Sequence, residues 1–216
     1  MSGRFDVGNA AAHLARGRPL LVVDADEVLL KFVDGFDRFL RVQGLYLDLL
    51  SYRLHGNVKR ITDDASVLDV EVTALLDEFR RDLDSLEMVD GARDALSRLS
   101  LECNIVVLSN VTPEQAISRL RNFAAHGIAF PLVSNNGPKG PAVKALAAYS
   151  GKPVFFVDDI PQHLASVAIT LPDVLRVHLI GDKRLKPLLP KAEHAHIRAD
   201  DWREAEAFIR SHLDGA

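Results

Sequence analysis

The stretch PLLVVDADEVLL, residues 19–30, decides how this chain is read. Leu20–Val23 is an unbroken apolar run that stops at Asp24, with a second carboxylate at Asp26. A short run without polar alternation reads as a strand buried on both faces, the pattern of a parallel sheet covered by helices. In such sheets ligands bind in the crevice beyond the carboxyl ends of the strands, where Asp24 falls. Taken alone, the two aspartates also suit a plain turn, where Asp is at home.

Downstream, strand signals vanish over residues 31–86. Phe36, Phe39 and Leu40, then Leu47, Leu50 and Leu54, then Val67, Val70, Leu75, Leu76 and Phe79 recur at helical spacing, with charges between them. This predicts two or more amphipathic helices. A crossover of that length exceeds what one helix needs, so 31–86 reads as a helical cap subdomain over the carboxyl edge of the sheet.

The core resumes near Gly91 with a helix over 92–99 and a second strand, IVVL at 105–108, ending in Ser109 and Asn110. Thr112-Pro113-Glu114-Gln115 is a helix start, with an N-cap, a proline at the first helical position and a capping-box glutamine. That helix runs to about 126. A strand at 130–133 leads into the loop SNNGPKG, 134–140, and a helix over 141–149. A fourth strand, VFFV at 154–157, ends in Asp158 and Asp159, and a fifth spans 174–180. An edge strand near 195–198 and a helix over 202–213 follow, while upstream a helix at 7–16 precedes Gly17. The alternation indicates an α/β fold, a doubly wound, mostly parallel Rossmann-like sheet built from 1–30 and 87–216.

Composition bounds the partners. With 216 residues and 48% hydrophobic content, a sizeable core can be buried. Net charge is −4 with both signs interspersed, which points to neither nucleic acid nor an anionic membrane. The single cysteine, Cys103, excludes an internal disulfide framework. No apolar run reaches membrane-spanning length and no leader pattern opens the sequence, so a soluble, cytoplasmic protein is expected. Oligomeric state is left open.

Three strands thus end in reactive polar residues: Asp24 and Asp26, Ser109 and Asn110, Asp158 and Asp159. Converging carboxylates raise the cost of charging one another unless a cation balances them. Such a cluster calls for a hard divalent metal, and magnesium suits carboxylate and carbonyl oxygens with waters and phosphate. Lysines at 139 and 144 lie in the segment before the fourth strand.

The ordered set of DxDxV, Ser-Asn, lysine and VDD, each at its strand end, resembles the haloacid dehalogenase-like hydrolase superfamily over about residues 20–180. The resemblance implies a magnesium-dependent phosphatase acting on a small phosphorylated metabolite. Asp24 would be the nucleophile that forms an aspartyl-phosphate, and Asp26 the general acid and base, its main-chain carbonyl reaching the metal. Ser109 and Asn110 would bind the phosphoryl group. Lys139, favoured over Lys144, would neutralise charge, and Asp159 would hold the metal with Asp158 orienting it or binding it through water. Phosphomutase or dehalogenase chemistry, or a non-catalytic metal- or ligand-binding role, are the alternatives. The sequence departs from the pattern in three places. Glu27 and Val28 replace a usual glycine and threonine, Gln162 and His163 stand where an acid is common, and Lys139-Gly140-Pro141 replaces a lysine-proline pair. Tyr46, Tyr52, Arg53 and His55 either contact substrate or cover the cap's own core. His126, His178, His194 and His196 show no metal-ligand spacing.

Overall fold

The computed structural model describes residues 7–213. Strand β1, Leu20–Val23, is buried at every position and lies inside a six-stranded parallel sheet. The other strands are β4 (Asn104–Ser109), β5 (Leu132–Ser134), β6 (Val154–Asp158), β7 (Leu175–Leu179) and β8 (Ile197–Ala199), in the order β5-β4-β1-β6-β7-β8. Leu21 and Val23 enter one core and Leu20 and Val22 the other. A strand covered on both sides has no solvent face, which is why its sequence shows no alternation.

The first face is covered by α4 (Ala92–Leu99), α5 (Pro113–Ala125) and α8 (Trp202–Leu213), the second by α1 (Val7–Ala11), α6 (Gly140–Ala147) and α7 (Pro161–Thr170). Helix α5 starts with the full capping box expected at Thr112 and Gln115. Helix α1 is shorter than expected because Asn104 binds both the N–H and the carbonyl of Ala15, at 2.9 and 2.8 Å, groups that a longer helix would use itself. No helix among the described residues is long and apolar enough to cross a membrane.

The segment 31–86 corrects one expectation. Helices α2 (Phe32–Val42) and α3 (Asp69–Phe79) form, joined through rings of Phe32, Phe36, Phe39 and Phe79 whose centroids lie 5.2–6.1 Å apart. Between them, however, β2 (Leu45–Leu47) and β3 (Val58–Arg60) pair as an antiparallel ribbon. Leu47 is a strand residue, Leu50 is exposed and Leu54 lies in the connecting loop, so their spacing was not helical periodicity. Strands of three residues are too short to display a period. The buried Asp37 carboxylate of α2 accepts the Leu47 N–H at 2.9 Å and fixes the ribbon to the helix.

The turn leaving β1 explains Glu27. Its backbone is left-handed, φ +58°, a conformation in which glycine is otherwise the default. The side chain supplies what offsets that strain. One carboxylate oxygen accepts the Val33 N–H at 2.7 Å and the other the Asp182 N–H at 2.8 Å, while the Glu27 carbonyl accepts from Gly181 at 2.5 Å. Glu27 thereby joins the start of α2 to the loop after β7. Burial pushes its carboxyl up to about 7, partly opposed by the Val33 N–H. Glu27→Gln, which turns one acceptor into a donor facing a backbone N–H, should lower unfolding free energy by about 1–3 kcal/mol. Urea denaturation at pH 8, where the carboxylate is ionised, measures this.

Candidate active site

In the pairing of β1 with β6, Val23 lies opposite Val157. One step beyond, the Asp24 N–H donates to the Val157 carbonyl at 2.9 Å, which brings Asp24 level with Asp158 at the carboxyl edge. Lys139 approaches from the start of α6. A Cβ on the next residue, Gly140, would lie 2.4 Å from the Ser166 carbonyl oxygen, so only glycine lets α6 pack this closely on α7. The Lys139 ammonium, 1% exposed, donates to Asp24 and, at 2.7 Å, to Asp158. The second oxygen of Asp158 accepts the Ile160 N–H at 2.8 Å.

Asp159 is placed differently. One oxygen accepts the Tyr52 hydroxyl, which reaches over from the insertion, and the other is buried with no hydrogen-bond partner. The Nδ1 of His178 accepts the Ala192 N–H at 3.1 Å, which leaves Nε2 to donate to the Asp159 carbonyl at 2.9 Å. Single oxygens of Asp24, Asp158 and Asp159 all lie within 4.8 Å of one another. An oxygen-only donor set with one buried, unpartnered carboxylate oxygen fits a hard divalent cation.

Burial dominates the electrostatics. It pushes Asp24 up to about 6 against the pull of Lys139, with Asp158 and Asp26 adding to the rise. Asp158 is also raised by burial, opposed by Lys139. Asp159, buried and facing Asp158 and Asp24 without a cation of its own, is raised well above the usual carboxylate range. Burial lowers Lys139, but two carboxylates outweigh it and hold the ammonium charged.

Asp26 lines the same site but is paired with a different cation. Its carboxylate accepts at 2.6 Å from Nη2 of Arg119, a fully buried side chain of α5 whose Nε and Nη1 have no partner. The same helix grips the end of the insertion. The Ser118 hydroxyl accepts the Leu83 N–H, and the Asn122 amide donates to the carbonyls of Asp84 and Leu86.

A cavity of about 230 Å³ opens over these groups. From the core it is lined by Asp24, Asp26, Ser109, Asn110, Lys139, Asp159 and His163, and from the insertion by Phe32, Tyr52, Leu54 and Arg80. Of the catalytic, phosphate-binding and metal-ligating residues expected, only Lys144 lies apart from those brought together here. It is exposed, beside a separate apolar cleft with Leu171 and Val174. Tyr46 bonds Asp64 and His55 lies 2.9 Å from Thr73, both away from the cavity. Arg119, Arg80 and His178 carry no signal in the sequence. Arg119 occurs in a polar run, SRLRN, and Arg80 in the charged string EFRRD, both of which read as solvated faces.

His163 lies 3.4 Å from the Asn110 amide nitrogen, which makes Nε2 the acceptor and the ring neutral. Burial, with the Lys139 charge, lowers it to about 4. Its ring proton resonances should therefore stay flat between pH 5 and 8 in an NMR titration. A midpoint near 6.5 would contradict this placement.

No protein-family model and no curated protein matches the sequence. Solved structures do match in fold. A haloacid dehalogenase-like hydrolase from Burkholderia xenovorans LB400 aligns with a TM-score of 0.57 at 18% identity, over 91% of this chain and 99% of that one. The defluorinating L-2-haloacid dehalogenase Rha0230 aligns with a TM-score of 0.59 at 14% identity, over 91% and 99%. A magnesium-bound HAD-hydrolase, YfnB from Bacillus subtilis, aligns with a TM-score of 0.55 at 17% identity, over 90% and 99%. The fold is that of the haloacid dehalogenase-like hydrolases.

Proposed function

We propose that this protein is a magnesium-dependent hydrolase that removes phosphate from a small phosphomonoester through an aspartyl-phosphate on Asp24. The observation that carries the reading is the buried Lys139 ammonium bridging Asp24 and Asp158, beside the unpartnered oxygen of Asp159. Asp24 and Asp159, with the main-chain carbonyl of Asp26, would hold the ion, and Asp158 would keep Lys139 in place. The ion would shield phosphoryl oxygens from the surrounding carboxylates.

A carboxylate needs no base to become a nucleophile, because it is already ionised near neutrality. An Asp24 oxygen forms a bond to phosphorus as the bond from phosphorus to the leaving oxygen breaks, and Asp26 delivers a proton to that oxygen. Water, giving its proton to Asp26, then attacks phosphorus and releases inorganic phosphate, restoring the Asp24 carboxylate. Lys139 offsets charge on the phosphoryl group, and Ser109 and Asn110 bind its oxygens. Residues 31–86 act as the cap, excluding water and contacting the leaving group.

A second reading has one observation in its favour. The Asp26 carboxylate is engaged by Arg119, and a substrate whose leaving group departs without protonation, as halide does in dehalogenation, needs no free acid there. Both chemistries share Asp24.

Phosphate release from a panel of phosphorylated metabolites, with magnesium and with chelator, is the test. Activity should require magnesium, and Asp24→Asn should remove it by at least about 10³-fold. Halide release from 2-haloacids without phosphate release would overturn the first reading for the second. A further expectation follows from the elevated Asp24 carboxyl. Since only the ionised form attacks, kcat/KM should fall as pH drops below about 6, measured across pH 4.5–8.

A further inference from the structure

Lys139 and Arg80 are the two cations that line the cavity, and their situations differ. Lys139 is bound to two carboxylates. Among the described residues, the half-buried Arg80 guanidinium has no ion pair and no hydrogen bond, and it lies over the Phe32 ring, 5.7 Å from the centroid. The acids that share the cavity are already committed. Asp24 accepts from Lys139, Asp26 from Arg119, Asp159 from Tyr52, and Glu27 from two backbone N–H groups. Arg80 thus brings an uncompensated positive charge, on the insertion side, to a site whose reacting groups all belong to the core.

A guanidinium stacked on an aromatic face keeps its planar fork of donors directed outward, and that fork matches a carboxylate in a two-point contact. The neighbouring wall, Phe32 and Leu54, is apolar. At about 230 Å³ the cavity lies below the usual range of about 300–1,000 Å³ for larger ligands. We propose that Arg80 is the specificity-determining residue of this site, and that the substrate is a short phosphomonoester whose far end carries a carboxylate. This rests on the hydrolase reading above and names the substrate class within it.

Phosphoglycolate and ethyl phosphate differ chiefly in a terminal carboxylate and serve as the probes. In the wild type with magnesium, kcat/KM should favour phosphoglycolate. Arg80→Ala should reduce the ratio of the two kcat/KM values by about 10- to 100-fold, chiefly through KM, and Arg80→Lys should fall between, since an ammonium makes no two-point contact. No preference in the wild type, or an equal loss on both substrates in Arg80→Ala, would overturn the proposal and leave Arg80 as packing on Phe32. Calorimetry separates this inference from the reading beneath it. Binding of phosphoglycolate that weakens in Arg80→Ala, with no phosphate released, keeps the carboxylate subsite and discards hydrolysis. Phosphate release that is indifferent to Arg80 keeps hydrolysis and discards the subsite. No binding and no release would discard both.

Discussion

A lysine ammonium buried among three aspartates is the constraint on which the rest of this structure depends. Removing one partner of a buried ion pair commonly costs about 3–5 kcal/mol, because the other charge is left uncompensated. Lys139 can compensate Asp24 and Asp158 only if β1 and β6 run parallel in this register and α6 lies close on α7. Gly140 and the Gly140 N–H bond to the Ser166 hydroxyl at 3.0 Å make that close approach possible. The polar edge of the sheet and the packing of the second core are therefore one problem, solved by the same few residues. The balance is left incomplete at Asp159, where a further cation fits.

The insertion is held to the core at three points, and under the proposed function it supplies recognition and closure rather than reacting groups. It is tied to the core at its entry by Glu27, at its exit by Ser118 and Asn122 of α5, and over the site by Tyr52 on Asp159. Arg119 lies on the exit helix yet reaches Asp26, so the end of the insertion and the orientation of Asp26 share one element. A guanidinium with two buried nitrogens unsatisfied is an expensive group to keep. Its contact with Asp26 is the visible return for that cost.

Much of the core was legible because its signals are local. The Leu20–Val23 run, the Thr112 capping box and the Trp202–Leu213 helix each announce themselves within a few residues. The acids and the lysine at the strand ends were equally readable, since a buried parallel strand has one place to end in a carboxylate. What escaped depends on contacts between distant parts of the chain. The β2–β3 ribbon has three residues in each strand and follows from Asp37 and its own pairing, and α1 ends early because Asn104, 89 positions away, captures Ala15. Arg119 and Arg80 look like surface charge in sequence, and only tertiary packing turns them inward. Glu27 looked like a departure from a glycine pattern, yet its backbone keeps the left-handed conformation that glycine would adopt.

The chain has a single tryptophan, and its indole N–H donates to the Val28 carbonyl at 2.8 Å, in the turn that carries Asp24 and Asp26. Trp202 is 1% exposed, so its emission arises from a dry, hydrogen-bonded setting beside the turn that carries Asp24. The molecule thus carries an intrinsic optical reporter of that turn, free of background from any second indole, and closure or loosening around the site is readable without a label.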